Sequence, residues 1–258
     1  MKILTIGDIV GTNGCEFLRE KLPSLKKEKC IDIVIANGEN SAQGNGILPS
    51  SAEYILNSGV DLITTGNHVY RRKEIYDYLE EDHPLIRPAN YDENNPGKGM
   101  YILDMGSVQV AVINIMGVVY MENLENPFMC AERMVELAKN EGCKIILIDF
   151  HAETTAEKRA LGFHLDGQIS ALFGTHTHVQ TADEQILPNG SGYITDLGMT
   201  GPINSVLGVT PELAIEKLRT NMPVRFLNPD TPCMLNGCIF EIDKITGKTI
   251  SVERVNIV

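Results

Sequence analysis

Three times in the first seventy residues a short apolar run stops at a glycine that has a metal-type or turn-forming side chain beside it. Lys2-Ile3-Leu4-Thr5-Ile6 stops at Gly7-Asp8, Ile31-Asp32-Ile33-Val34-Ile35-Ala36 at Asn37-Gly38-Glu39-Asn40, and Asp61-Leu62-Ile63-Thr64-Thr65 at Gly66-Asn67-His68. Helical periodicity follows each stop: from about Cys15 to Lys29, with Pro23 as a candidate bend, from Ser50 to Ser58 behind Pro49, and from Arg72 to Glu81. Strand, glycine, helix, repeated, is the grammar of an α/β protein with mixed sheets, and such sheets collect their ligands off the carboxyl ends of the strands.

Two later runs end in the same manner. Lys144-Ile145-Ile146-Leu147-Ile148-Asp149-Phe150 runs into His151, and Gln168-Ile169-Ser170-Ala171-Leu172-Phe173 into Gly174-Thr175-His176-Thr177-His178. Between them the sequence predicts a helix from Thr155 to about Phe163, and before them a hairpin of Tyr101–Leu103 with Val108–Ile115 and a helix over Pro127–Asn140, which has Pro at its start and Gly142 beyond its end. The last third reads as a strand at Tyr193–Thr195, a loop Asp196-Leu197-Gly198-Met199-Thr200-Gly201-Pro202, a helix from Thr210-Pro211 to about Thr220, and a closing hairpin of Asn236–Ile242 with Thr249–Val258.

The net charge of −12 excludes an electrostatic grip on long nucleic acid, yet a short nucleotide held through metal ions needs no basic surface. No run of eighteen apolar residues and no signal-peptide pattern is present, so a cytoplasmic protein without a membrane span is expected. Six scattered cysteines with no Cys-x-x-Cys pair read as reduced, mostly packed thiols. With no linker-like shift in composition, residues 1–258 are expected to form one domain.

Taken singly, each strand end has an ordinary explanation: Asp8 and Asn67 as turn formers, His151 as a core histidine, Glu39 as a solvated carboxylate. Five coincidences at the same topological place argue for a shared site. Two carboxylates, two amides and three imidazoles exceed the needs of one ion and suit two ions that share a bridging carboxylate. Other candidates are Gly11-Thr12-Asn13-Gly14, a phosphate cradle or a plain turn, and Arg71-Arg72, phosphate-reaching or solvated. Glu153, His83 and His164 read as structural or exposed.

Gly7-Asp8, Gly38-Glu39-Asn40, Gly66-Asn67-His68, His151 and Gly174–His178 resemble the ordered motif set of the calcineurin-like metallophosphoesterases. Asn37-Gly38-Glu39-Asn40 and Asp196–Pro202 narrow the resemblance to the bacterial YmdB-type branch, over essentially the whole chain. The general pattern has Asp-x-His at the first strand and a bridging Asp. Here Asp8-Ile9-Val10 lacks the histidine, Glu39 stands in place of the Asp, and Asn40 supplies an oxygen instead.

The resemblance implies a two-sheet β-sandwich flanked by helices (α/β/β/α) with a dinuclear centre. It assigns Asp8, Glu39, Asn40 and His178 to the first ion, and Glu39, Asn67, His151 and His176 to the second. The oxygen-rich first site favours iron or manganese, with magnesium and zinc also accommodated. It implies a metal-dependent phosphodiesterase acting on 2′,3′-cyclic nucleotides by attack of a metal-bridging hydroxide on phosphorus, with His68 serving the leaving oxygen or the phosphoryl charge, and Met199–Pro202 on the site rim. The competing readings are a phosphatase or phosphodiesterase of other range, on phosphomonoesters or 3′,5′-cyclic nucleotides, and a non-enzymatic metal-binding regulatory protein. The partner expected is a small phosphoester, and a homo-oligomer is compatible with the sequence. With no Trp and no aromatic cluster beside the motifs, the base is expected to project outward and to be weakly discriminated.

Overall fold

The computed structural model describes residues 1–258 and contains two β-sheets and six helices. In the first sheet β1 (Lys2–Ile6), β3 (Ile33–Asn37) and β4 (Leu62–Thr64) run parallel. On the other side of β1 lies β12 (Cys233–Ile242), antiparallel, which carries β13 (Thr249–Ile257) and leads through β11 (Met199–Pro202) to β2 (Asp8–Ile9). The second sheet has a parallel centre of β6 (Gln109–Met116), β7 (Ile145–His151), β8 (Ala171–Thr175) and β10 (Gly192–Ile194). Its antiparallel edges are β5 (Met100–Asp104) and β9 (Gln185–Ile186).

The near-continuous apolar strands follow from burial on both faces. In β1, Leu4 and Ile6 join a cluster with Leu18, Leu22 and Leu25 of helix α1 (Gly11–Lys29), whereas Ile3 points the other way. Ile3 packs with Ile33 and Ile35 against Val110, Val112, Leu147 and Phe173, so residues of both sheets share one cluster. A further cluster sets Ile113, Ile148 and Leu172 of the second sheet against Met134 of α4 (Pro127–Asn140) and Leu161 of α5 (Thr155–Leu165). Each fully buried leucine contributes roughly 1.5–3 kcal/mol of transfer free energy.

Most predicted elements are present, among them α2 (Pro49–Asn57) and α6 (Pro211–Thr220). Helix α3 is shorter than the periodicity suggested, Ile75–Glu80 rather than Arg72–Glu81. The Gly11–Gly14 loop is a correction: it forms the first turn of α1, which starts at Gly11 and runs unbroken through Pro23. Gly11 N–H donates to the Asn40 carbonyl (2.9 Å) and Gly14 N–H to the Val10 carbonyl (3.2 Å), so neither cradles a phosphate. Gly14 is small because a Cβ there would sit against the Thr200 carbonyl oxygen. Residues 199–202 of the expected loop are likewise strand β11.

One lysine–carboxylate pair is fully enclosed. Lys158 of α5 donates to Asp196 Oδ2 (2.7 Å) and to the Thr175 carbonyl (2.8 Å), and both side chains are buried. Asp196 also accepts from Thr177 N–H (3.1 Å), Thr177 Oγ1 (2.8 Å) and Gly198 N–H (2.9 Å). Lys158→Met keeps the apolar stem but leaves a buried carboxylate without its cation, an expected loss of about 3–5 kcal/mol. Urea unfolding followed by circular dichroism measures it; a loss below about 1 kcal/mol would mean that the N–H and O–H donors alone satisfy Asp196.

Candidate metal centre

The parallel strands of both sheets point their carboxyl ends at one place, and the sequence-predicted residues meet there. Asp8, Glu39, Asn40 and His151 are buried and Asn67 is partly buried beside them; His68, His176 and His178 are partly buried at the floor of a cleft of about 530 Å³. Glu39 is the hub. Its Oε1 lies 3.1 Å from His151 Nε2, 3.4 Å from Asn40 Nδ2 and 3.4 Å from His68 Nδ1, and its Oε2 accepts the His68 backbone N–H at 2.9 Å.

On one side of Glu39, His151 Nε2 stands 3.0 Å from Asn67 Oδ1 and 3.1 Å from His176 Nδ1. Glu39, His151 and His176 present ligand atoms all within 4.8 Å of one another. On the other side, Asp8 Oδ1 is 3.4 Å from His178 Nε2 and 3.4 Å from Asn40 Nδ2. The seven expected ligands thus fall into two groups around one carboxylate.

Hydrogen bonding fixes the tautomers. Thr175 Oγ1 donates to Asp149 Oδ1 (2.7 Å), so it accepts from His151 Nδ1 (2.9 Å). His176 Nε2 faces the Glu153 carboxylate (3.0 Å), and His178 Nδ1 faces the Leu207 carbonyl (3.0 Å). Each imidazole therefore gives its outer N–H to an acceptor and turns its other nitrogen inward, the arrangement by which metal-binding histidines are oriented. Inside, the nitrogens and the carboxylate or amide oxygens stand about 3 Å apart, a donor set that fits divalent metal ions once the protons held between them are lost.

The charges agree. Burial alone would raise the Asp8 carboxyl, but His178 and His151 hold it far below its ordinary range, and Glu39 is likewise lowered against burial by His151 and His68. Burial opposes charge on His151, yet Glu39 and Asp8 push the imidazole up to about 9; Asp8 raises His178 in the same way. Burial and the neighbouring His151 lower His176 to about 4, so it stays neutral.

Backbone geometry supplies the aim. His176 and His178 have φ of 97° and 63°, left-handed conformations that cost a non-glycine residue on the order of 1–3 kcal/mol each. His176 N–H donates to Asp8 Oδ2 (3.1 Å) and Thr177 is held twice by Asp196, which keeps the turn in place. Gly66 is bare because a Cβ there would overlap the His151 ring.

Several residues sit differently from the expectations. Asn40 turns its Oδ1 to His68 Nδ1 (2.9 Å) and its amide nitrogen to Asp8 and His178; a half-turn of the amide would bring the oxygen to that group and place an N–H against His68. Glu153 is exposed, as expected, but it also lines the cleft and faces His176 Nε2. Arg71 enters the cleft, whereas Arg72 clamps the preceding loop through the Gln43 (2.7 Å) and Asn45 (3.2 Å) carbonyls. His83 stacks on Tyr78 and His164 pairs with Glu132, both away from the cleft. Thr175, Glu153 and Leu207 were not expected as partners; a Thr before the His-x-His and a Glu two residues after His151 were the only signals for the first two.

The family model described as "YmdB-like protein" matches residues 4–255. The chain is 44% identical over 256 residues to the 2′,3′-cyclic-nucleotide 2′-phosphodiesterase of Bacillus subtilis (strain 168), covering 99% of this chain and 96% of that protein. The crystal structure of a hypothetical protein from Thermus thermophilus superposes with a TM-score of 0.93 at 36% identity, over 99% of this chain and 98% of that one. A novel phosphatase from Mycoplasma pneumoniae gives a TM-score of 0.92 at 34% identity, over 100% of this chain and 93% of that one. The chain belongs to the YmdB-like protein family, of the calcineurin-like metallophosphoesterase type.

Proposed function

We propose that the protein is a metal-dependent phosphodiesterase that hydrolyses small cyclic nucleotides, 2′,3′-cyclic nucleotides foremost. The observation that carries the metal half is the set of three imidazoles whose outer N–H groups are engaged by Thr175, Glu153 and Leu207 while their inner nitrogens converge with Asp8, Glu39 and Asn67. The substrate half rests on the printed activity of the Bacillus subtilis relative. We assign one ion to Asp8, Glu39, Asn40 and His178 and a second to Glu39, Asn67, His151 and His176, with iron or manganese the preferred metals. The paired sheets, with one cluster between them and helices outside, support a four-layer α/β/β/α sandwich forming a single domain over residues 1–258. Six free cysteines support a cytoplasmic setting; no helix is long and apolar enough to cross a membrane.

Bound metal ions supply positive charge to the phosphoryl oxygens and acidify a water molecule. The protein's own groups do the rest. Glu39 holds the two halves of the site together, and its Oε2 fixes the loop of His68 through the backbone N–H. His68 Nδ1 is engaged by the Asn40 amide in either orientation of that amide, which leaves Nε2 as the ring's free nitrogen in the cleft. Burial keeps His68 below its ordinary value while Glu39 draws it back, so an entering anionic diester favours its protonation and Nε2–H can pass to the departing ribose oxygen. Arg71 lines the same cleft, where its guanidinium can meet phosphate oxygens.

The primary test is metal analysis of purified protein with turnover on 2′,3′- and 3′,5′-cyclic AMP and a phosphomonoester side by side. Chelation should abolish turnover, and manganese or iron(II) should restore it better than calcium, whose longer bonds suit a more open site. Preference for the 3′,5′ ring or the monoester would overturn the substrate assignment, and fewer than two ions per chain would overturn the dinuclear one.

Two substitutions separate holding from chemistry. Glu39→Gln removes the charge that keeps two cations together and should lose at least one ion and most activity; full metal content with wild-type rates would disprove the bridge. His68→Ala should keep both ions and lose roughly 10²–10⁴ in rate on alkoxide leaving groups, with a smaller loss on a p-nitrophenyl ester, whose leaving group needs little protonation. Equal losses on both would move His68 from proton donor to phosphoryl stabiliser.

A further inference from the structure

The cleft above the metal centre has a chemical asymmetry. Its four apolar lining residues are Val10, Leu207, Val209 and Phe226, and its remaining lining is polar or small. Three of the four come from two neighbouring segments of the last quarter of the chain. Thr210 N–H and Oγ1 both donate to the Leu227 carbonyl (2.8 and 2.9 Å), and Asn228 Nδ2 donates to the Gly208 carbonyl (2.8 Å). Gly208 packs directly on Val10, where a Cβ would collide with the Val10 side chain. The wall is joined to the metal centre itself, because the Leu207 carbonyl accepts His178 Nδ1–H at 3.0 Å.

Apart from the histidines, Phe226 is the only aromatic residue lining this cleft, and it is 42% exposed. A single exposed phenylalanine is ordinary on a protein surface. This one differs in position and in support. It stands in a stretch without helix or strand between α6 and β12, stiffened by Pro223, Pro229 and Pro232. That stretch is tied down on the carboxyl side of the aromatic residue: Thr210 holds its neighbour Leu227, Asn13 Nδ2 donates to the Pro229 carbonyl (3.4 Å) and Ile203 N–H to the Pro232 carbonyl (2.9 Å). A flat apolar face whose adjoining backbone is fixed at Leu227 thus lines the cleft, and fixing the backbone beforehand lowers the ordering cost of a contact.

A cyclic nucleotide has one anionic end and one flat, weakly polar end. The anionic end belongs on the cations and Arg71. The cleft, about 530 Å³, lies within the roughly 300–1,000 Å³ usual for small-ligand pockets and has room for a nucleoside beyond the phosphate. We infer that the Val10–Leu207–Val209–Phe226 wall is the nucleobase subsite, and that Phe226 is its stacking face and a specificity-determining residue. This deepens the cyclic-nucleotide reading and rests on it. It departs from the expectation that the base projects outward: the residue is brought in from 48 positions beyond His178, where no motif marks it.

The test compares substrates with and without a base. The ratio of kcat/KM for 2′,3′-cyclic AMP over 1-O-methylribose 2′,3′-cyclic phosphate is measured for the manganese-loaded wild type, Phe226→Ala, Phe226→Leu and Phe226→Trp. Stacking of one base on one aromatic ring predicts a ratio about tenfold lower in Phe226→Ala, carried by KM, nearly as low in Phe226→Leu, and restored in Phe226→Trp. In parallel, binding of 3′-AMP and of ribose 5-phosphate is measured by calorimetry on the same four proteins, with the same ordering expected. An unchanged ratio in Phe226→Ala, or equal losses on both substrates, overturns the subsite, the second outcome by showing that Phe226 only supports the wall. If the wild type turns over no cyclic nucleotide, the activity assignment falls, and the binding ratio still decides whether Phe226 holds a base.

Discussion

Asp149 is fully buried on β7, where desolvation pushes its carboxyl up to about 6, and it is surrounded by donors from both sheets. Thr64 of β4 donates to one oxygen and Thr175 of β8 to the other (2.7 Å), and Asn37 Nδ2 of β3 lies 3.3 Å from the first. An enclosed carboxylate without such partners would cost several kcal/mol. Here the partners use the cost: the carboxylate joins the two sheets just beneath the point where their strands end. Asn114 strengthens the junction, accepting from Thr65 N–H (3.1 Å) and donating to the Asp149 carbonyl (3.3 Å). The otherwise apolar strands carry Asn37, Thr64, Asn114, Asp149 and Thr175 for this reason.

That junction also sets the chemistry above it. Because Thr175 spends its proton on Asp149, it can only accept from His151, which fixes the His151 tautomer and directs Nε2 inward. The Asp196–Lys158 pair does the same for the turn that follows, holding Thr177 while the residues on either side take left-handed backbone conformations. Two buried carboxylates beneath the site thus orient the imidazoles, and two within it, Asp8 and Glu39, set the field. Sheet packing, loop strain and ligand direction are linked through the same few hydrogen bonds.

The elements and the strand-end residues were legible because each leaves a local signature. Apolar runs of five to seven residues, the Pro127 and Pro211 helix starts, and glycines at strand ends can be read without knowing what lies opposite. What could not be read depends on contacts between distant segments. The turn Gly11–Gly14 looks like a loop until the close approach of β11 explains the small residue at Gly14. Glu153 looks like any surface glutamate until His176 Nε2 is found 3.0 Å away. Leu207 contributes only a backbone carbonyl, which no side-chain pattern encodes. The two-residue strands β2 and β9 are too short to show a period, and Phe226 acquires meaning only from the fold that carries it into the cleft.

The charge distribution imposes an order on binding. The chain carries a net charge of −12, and Asp8 and Glu39 are ionised at the bottom of the cleft that must receive an anion. Until their charge is neutralised, these carboxylates repel phosphate and favour protons on His151 and His178, whose pKa values they raise. On the proposed assignment a divalent cation displaces those protons, so its apparent affinity rises with pH for as long as His151 and His178 remain protonated. Only with the cation bound does the floor of the cleft become attractive to a phosphodiester. On the proposed assignment, the carboxylates that hold the cation also make phosphate binding conditional on it, and an acidic protein can handle an anionic substrate without any basic surface of its own.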